Sequence, residues 1–117
     1  NSLKIGEYGS IQLHSIIGTK EAFIPGGDGF ELLLFVSKSG GGYETFRRHE
    51  KEVLICSEGI WKVDWAGGGQ KGSILLNTGD LLSVPENFER SMECVGNNEG
   101  SLYSVVNENS QKDPFII

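Results

Sequence analysis

No stretch of the sequence approaches the about 18 consecutive apolar residues that a membrane-spanning helix needs. Apolar runs such as Leu32–Val36 and Ile74–Leu76 are of strand length, and no secretory leader pattern is visible. Basic runs are missing beyond Arg47-Arg48: 10 Lys and Arg stand against 16 Asp and Glu, a net charge of -6. An acidic surface repels phosphate backbones, so nucleic acid is not an expected partner, and neither is a membrane. Two cysteines, Cys56 and Cys94, are too few and too far apart for a disulfide scaffold or a zinc site. They suggest a reducing, cytoplasmic setting. No segment holds a 3.6-residue apolar period over the roughly ten residues a helix requires.

Glycine and period-two patterning are what the chain has in quantity. Its 17 glycines fall in turn-like clusters rather than a Gly-X-Y repeat, which excludes collagen and implies many tight turns. A hydrophobic fraction of 38% is enough to pack one core and too high for a disordered chain, and 117 residues allow a single domain over 1–117. Ile11, Leu13 and Ile16-Ile17 read as a strand between Gly9 and Gly18, and Pro25–Gly29 as a loop. Strands are expected over Phe30–Lys38, Tyr43–Arg48, Val53–Ser57, Trp61–Trp65, Ser73–Leu76, Leu81–Val84, Ser91–Val95 and Leu102–Val106. Turn residues separate them at Gly40–Gly42, Glu58-Gly59, Ala66–Gly69, Asn77–Asp80, Pro85 and Gly96–Gly100. Short strands at regular spacing make the fold class all-β, a sandwich or barrel with essentially no helix.

Two of the turn-and-strand stretches carry a fixed spacing. Gly40 is followed by five residues, Phe46-Arg47-Arg48, three more, Glu52, six more and Gly59. Gly79 is followed by five residues, Pro85-Glu86-Asn87, two more, Arg90, three more and Cys94. These stretches resemble the two motifs of the cupin family, small β-barrels of jelly-roll type. The first family motif is a Gly, five residues, His-x-His, three or four residues, a Glu, six residues and a Gly. The second is a Gly, five residues, Pro-x-Gly, two residues, a His, three residues and an Asn. The resemblance spans Gly40–Cys94, with flanking strands filling out most of the chain. It implies a cupin-like double-stranded β-helix, a jelly-roll barrel, either alone or as one half of a two-barrel protein. It also implies pairing through edge strands, the Ile11–Ile17 segment being the expected edge, or through the apolar Phe115-Ile116-Ile117 end.

The chemistry at the motif positions departs from the family. In metal-dependent cupins two histidines, the Glu and the second-motif His hold one divalent metal; here those positions are Phe46, Arg48, Glu52 and Arg90. Phenylalanine has no lone pair to give, and a guanidinium stays protonated and accepts nothing. The expectation is therefore no metal and no cofactor. Alternation places Phe46 with Arg48, and Arg90 with Met92 and Cys94, on one face each. One reading is an anion pocket in which Arg48 and Arg90 clamp a small anionic ligand between apolar walls of Phe46 and Met92. The other is an internal staple in which Glu52 bridges the two arginines.

An enzyme is the alternative from a different class. Its metal version, resembling cupin dioxygenases, would rebuild the site from His49 with Glu44, Glu50 or Glu52. Its metal-free version, resembling sugar-nucleotide epimerases of the same fold, would draw an acid–base pair from Glu52, His49 and Tyr43. His14 reads as a satisfied strand histidine, Cys56 and Cys94 as small buried hydrophobes, and Trp61 and Trp65 as core. No Ser-His-Asp set, phosphate loop or dinucleotide fingerprint is present.

Overall fold

The structure is a computed structural model that describes residues 3–8, 11–17, 29–107 and 115–116. Among these residues every regular element is a strand, and no helix is present that is long and apolar enough to cross a membrane. The strands are β1 (Leu3–Tyr8), β2 (Ile11–Ile17), β3 (Phe30–Ser37), β4 (Gly42–Arg47), β5 (Glu52–Glu58), β6 (Trp61–Gly67), β7 (Gln70–Leu76), β8 (Leu81–Val84), β9 (Glu89–Cys94), β10 (Gly100–Asn107) and β11 (Phe115–Ile116). They form two antiparallel sheets, ordered β1-β2-β3-β10-β5-β8 and β11-β4-β9-β6-β7.

Period-two burial follows from the pleat, because successive side chains point to opposite faces. On β3 the buried positions are Glu31, Leu33, Phe35 and Ser37, and on β10 they are Gly100, Leu102, Ser104 and Val106. Trp61 and Val63 of β6 lie opposite Cys94 and Met92 of β9, and all four are at most 1% exposed. With Leu54, Cys56, Leu76 and Phe46 they form one core between the sheets. Each large aliphatic or aromatic side chain removed from water there contributes about 1.5–3 kcal/mol.

The turns fall where the backbone requires them. Gly40, Gly59 and Gly79 have φ of 85°, 81° and 92°, and Asn87 has φ of 63°. Those are the three motif glycines and the asparagine standing at the family's fourth glycine. Of the non-glycine residues, Asn is among the few that tolerate the left-handed region.

Three expectations need correction. β1 is a strand with no strong apolar alternation, and it pairs with β2. The Ile11–Ile17 strand therefore sits inside its sheet, between β1 and β3, and offers no free edge. At the other extreme, Phe115–Ile116 add to β4 by pairing with Arg47 and Phe46 instead of projecting from the fold. Several boundaries also shift outward: β7 begins at Gln70 and β9 at Glu89, because ladder pairing with β6 extends past the apolar residues. Gly9, Gly18 and the Pro25–Asp28 part of the expected loop lie outside the described residues.

Candidate functional site: a buried arginine pair

The site is assembled by the two motif segments and one strand from the far sheet. Phe46 is the penultimate residue of β4, and the chain leaves that strand at Arg48 before Glu52 opens β5. Arg90 stands on β9 directly opposite Phe46 on one side and Trp65 on the other. The amide of Asn87 donates to the Arg48 carbonyl at 2.9 Å, so the turn after Pro85 holds the segment carrying Arg48 in place. Phe46, Arg48, Glu52, Arg90 and Ser104 are all 0% exposed. Three ionisable groups and a hydroxyl thus share an interior without water access, an arrangement that residues of these types adopt only when they meet one another or a ligand.

Glu52 is the hub. Its Oε2 lies 3.3 Å from Arg48 Nε and accepts a hydrogen bond from Ser104 Oγ, while its Oε1 lies 3.8 Å from Arg90 Nη1. The last separation is an ionic contact, too long for a hydrogen bond. Both guanidiniums also face the Phe46 ring, with Cζ at 5.9 Å for Arg48 and 5.2 Å for Arg90. A cation over an aromatic face gains about 0.5–1 kcal/mol at an exposed site and about 2 kcal/mol or more out of water. Tyr43 packs on Phe46 at 4.9 Å and on Phe35 at 5.7 Å, tying the ring to the core.

Arg90 is the group left incomplete. None of its Nε, Nη1 and Nη2 atoms has a hydrogen-bond partner, and Glu52 is its one carboxylate contact among the described residues. Burial pushes its guanidinium below the ordinary value; Glu52 opposes that shift and Arg48 adds to it. An arginine begins so far above neutrality that it keeps its proton. What the structure holds is therefore a permanent cation with its donors aimed into a dry interior.

The remaining candidates are placed as follows. Met92 is buried on the same face as Arg90, one pair further along β9, opposite Val63 and Tyr43. His49 is exposed and its Nδ1 lies 3.0 Å from Asn87 Oδ1. It is thus directed away from Glu52, and Glu44 is exposed as well. His14 is half-buried on the face of β2 opposite to the buried Ile11 and Leu13. Cys56 and Cys94 are buried free thiols whose pKa values are pushed up, chiefly by burial. Trp61 is core as expected, but Trp65 is half-buried and stacks on Phe88, with centroids 6.0 Å apart and planes at 25°. Sequence reasoning passed over Ser104, although a serine at an inward position between Leu102 and Val106 is a readable signal.

Solved structures share this arrangement of strands. A cupin 2 domain-containing protein from Halorhodospira halophila superposes with a TM-score of 0.75 at 16% identity, covering 96% of this chain and 73% of that one. The fold is that of the cupins. A deletion mutant of Bacillus subtilis oxalate decarboxylase gives a TM-score of 0.82 at 17% identity, over 100% of this chain and 30% of the other. Vicilin from Capsicum annuum gives 0.76 at 12%, over 97% and 31%. The chain therefore spans about 30% of the length of the decarboxylase and vicilin chains. No family model and no curated protein matches the sequence.

The cupin fold implies a divalent metal where the motif side chains converge, and the residues here do not fit one. Phe46 offers no donor, and Arg48 and Arg90 bring fixed positive charge to the positions where ligands would have to be. Among the described residues no group of three or more His, Cys, Asp or Glu side chains is placed to hold a metal ion.

Proposed function

We propose that this chain is a cupin-type binding module, a jelly-roll barrel whose interior takes a small anion on Arg90 and Arg48 in place of a metal. The observation that carries the reading is Arg90 itself, wholly buried, charged, and with no hydrogen bond from any of its three nitrogens to the described residues. Leaving a buried donor unbonded costs about 1–3 kcal/mol, and more when it is charged. A carboxylate or other oxyanion accepting from the guanidinium removes that cost and adds charge-assisted bonds. Phe46 supplies an apolar wall, and Glu52 keeps Arg48 and Arg90 close together against their mutual repulsion.

A second reading has its own observation. Arg48 and Ser104 both engage Glu52 Oε2, so the network is partly satisfied from within, as an internal staple would be. Calorimetric titration with acetate, sulfate and phosphate, on the wild type and on Arg90→Met, separates the two. In the anion reading one of these ions binds the wild type, and Arg90→Met abolishes binding with a stability change of about 1 kcal/mol or less, since the lost guanidinium made no hydrogen bonds. If no anion binds and Arg90→Met unfolds the domain, the staple reading replaces it.

A further inference from the structure

An antiparallel sheet that packs one face on a core ordinarily carries polar side chains on the other. The β11-β4-β9-β6-β7 sheet follows that rule. Its outward positions include Arg47, Glu89, Glu93, Lys62 and Asp64, and Lys62 Nζ lies 3.9 Å from Asp64 Oδ2. The other sheet breaks it. On β3, Leu32, Leu34 and Val36 alternate with the buried Leu33 and Phe35, so they point away from the core. Tyr103 and Val105 of β10 do the same, and so do Val53 and Ile55 of β5. Leu81 on β8 is 61% exposed and Phe30 at the start of β3 is 37% exposed.

Strand register joins these residues into rows across five strands. One row runs His14, Leu34, Tyr103, Ile55 and Leu81, from β2 to β8. Beside it lie Leu32, Val105, Val53 and Ser83, and on the other side Gln12, Val36 and Ser101. None of the three rows contains Asp, Glu, Lys or Arg; Glu58, the partner of Ser101, stands at the rim. Directly opposed side chains on one sheet face start about 4.5–5.5 Å apart, so the apolar groups form one continuous patch. A patch of that kind with a polar rim marks an interaction surface, and scarcity of charge is what distinguishes the centre of an interface.

We infer that this outer face is a two-fold dimer interface, on which a second copy of the chain lies sheet against sheet. The surface lies outside the arginine site and serves whether or not an anion binds there. Charge, shape and area each favour that occupant. Two copies with a net charge of -6 repel one another, and an uncharged face lets them meet without opposing carboxylates. A strongly charged partner finds nothing on these rows to pair with. A broad sheet face is matched by another sheet packed about 10 Å away, and in a two-fold dimer one patch serves both copies. Five strands about 4.8 Å apart, with outward residues spread over the length of β3, give a footprint of about 24 Å by 20 Å. Over two copies that is roughly 1,000 Å², the size at which specific interfaces begin.

The test is sedimentation equilibrium of the full chain across the micromolar range, on the wild type and three lysine variants. The wild type is expected to sediment at twice the chain mass of 12.8 kDa. Ile55→Lys, in the central row, and Leu81→Lys, at its exposed end, are each expected to weaken association roughly tenfold or more, by burying an unpaired charge. Leu81 is already largely in water, so its variant decides the matter should Ile55→Lys fold poorly. Leu75→Lys is the control: Leu75 is 56% exposed, but it lies on β7 of the other sheet, and its variant is expected to dimerise as the wild type does. A wild type that stays monomeric throughout the range overturns the inference, whether or not the face then takes up lipid vesicles or another protein. A dimer that survives both Ile55→Lys and Leu81→Lys overturns it as well. Dissociation by Leu75→Lys to the same degree as by Leu81→Lys removes the assignment to this face.

Discussion

The two ends of the interior are equally buried and chemically opposite. At the end bounded by Gly59 and the 77–80 turn, each polar side-chain group finds a backbone acceptor. Trp61 Nε1 donates to the Glu58 carbonyl at 3.3 Å, Cys56 Sγ to the Gly59 carbonyl at 3.2 Å and Cys94 Sγ to the Asn98 carbonyl at 3.6 Å. At the other end, four residues along the same strands, Glu52 replaces Cys56 and Arg90 replaces Cys94 on the inward face. There the guanidinium of Arg90 makes no hydrogen bond to any of the described residues, and holds only an ionic contact with Glu52 and the face of Phe46 among them. A core that exists only to hold the sheets together has no use for that arrangement, since apolar side chains of the same volume serve at lower cost. The first end satisfies its polar groups with backbone acceptors, and the second relies on charged side chains facing one another.

The sharpest way to break the comparison is to damage each end in turn. Trp61→Ala removes the largest side chain of the closed end and is expected to cost about 3–5 kcal/mol in urea unfolding, whatever anion is present. Glu52→Gln deprives both arginines of their shared counter-charge and is expected to cost about 3 kcal/mol in buffer without small anions. The decisive difference lies in the rescue. Added acetate or benzoate is expected to restore part of the stability of Glu52→Gln, by supplying the missing negative charge, and to do nothing for Trp61→Ala. Equal insensitivity of the two variants to anions would make the charged end a staple, no different in kind from the closed one.

The sequence disclosed these two ends unequally. The closed end was legible from alternation alone, because Trp61 and Val63, Leu54 and Cys56, and Leu102 recur at period two. At the charged end, the convergence of Phe46, Arg48, Glu52 and Arg90 followed from motif spacing, and the buried ion pairs agree with it. Ser104 and Glu31 were passed over because each is a polar residue in an apolar strand, and only pairing of β10 with β3 and β5 shows that both face inward. β1 was missed since its pattern is broken at Gly6, where the register with β2 shifts. The Trp65–Phe88 stack could not be read at all. It depends on Gly67 and Gly72 lying under rings that are distant or only loosely patterned in sequence, which is a property of packing and not of period.

The smallest expected effect concerns protonation, and it tests what burial does at each end. Burial raises the pKa values of Cys56 and Cys94 above the ordinary thiol value of about 9.0, whereas it lowers that of Arg90. In the unfolded chain the thiols ionise first as pH rises, so the folded state loses stability above about pH 9.0 until the raised folded values are passed; below that range the thiol contribution is fully present. The melting temperature of the wild type is therefore expected to fall more steeply between neutral and strongly alkaline pH than that of a Cys56→Ala, Cys94→Ala variant, by a few degrees at most. Native protein is expected to resist iodoacetamide until it unfolds, because the thiolate is the reactive form. Parallel melting curves would mean that the closed end does not enforce neutrality. The charged end lacks that option, because a guanidinium cannot shed its proton to escape burial. Arg90 can be relieved only by a partner, and a bound anion is what would supply one.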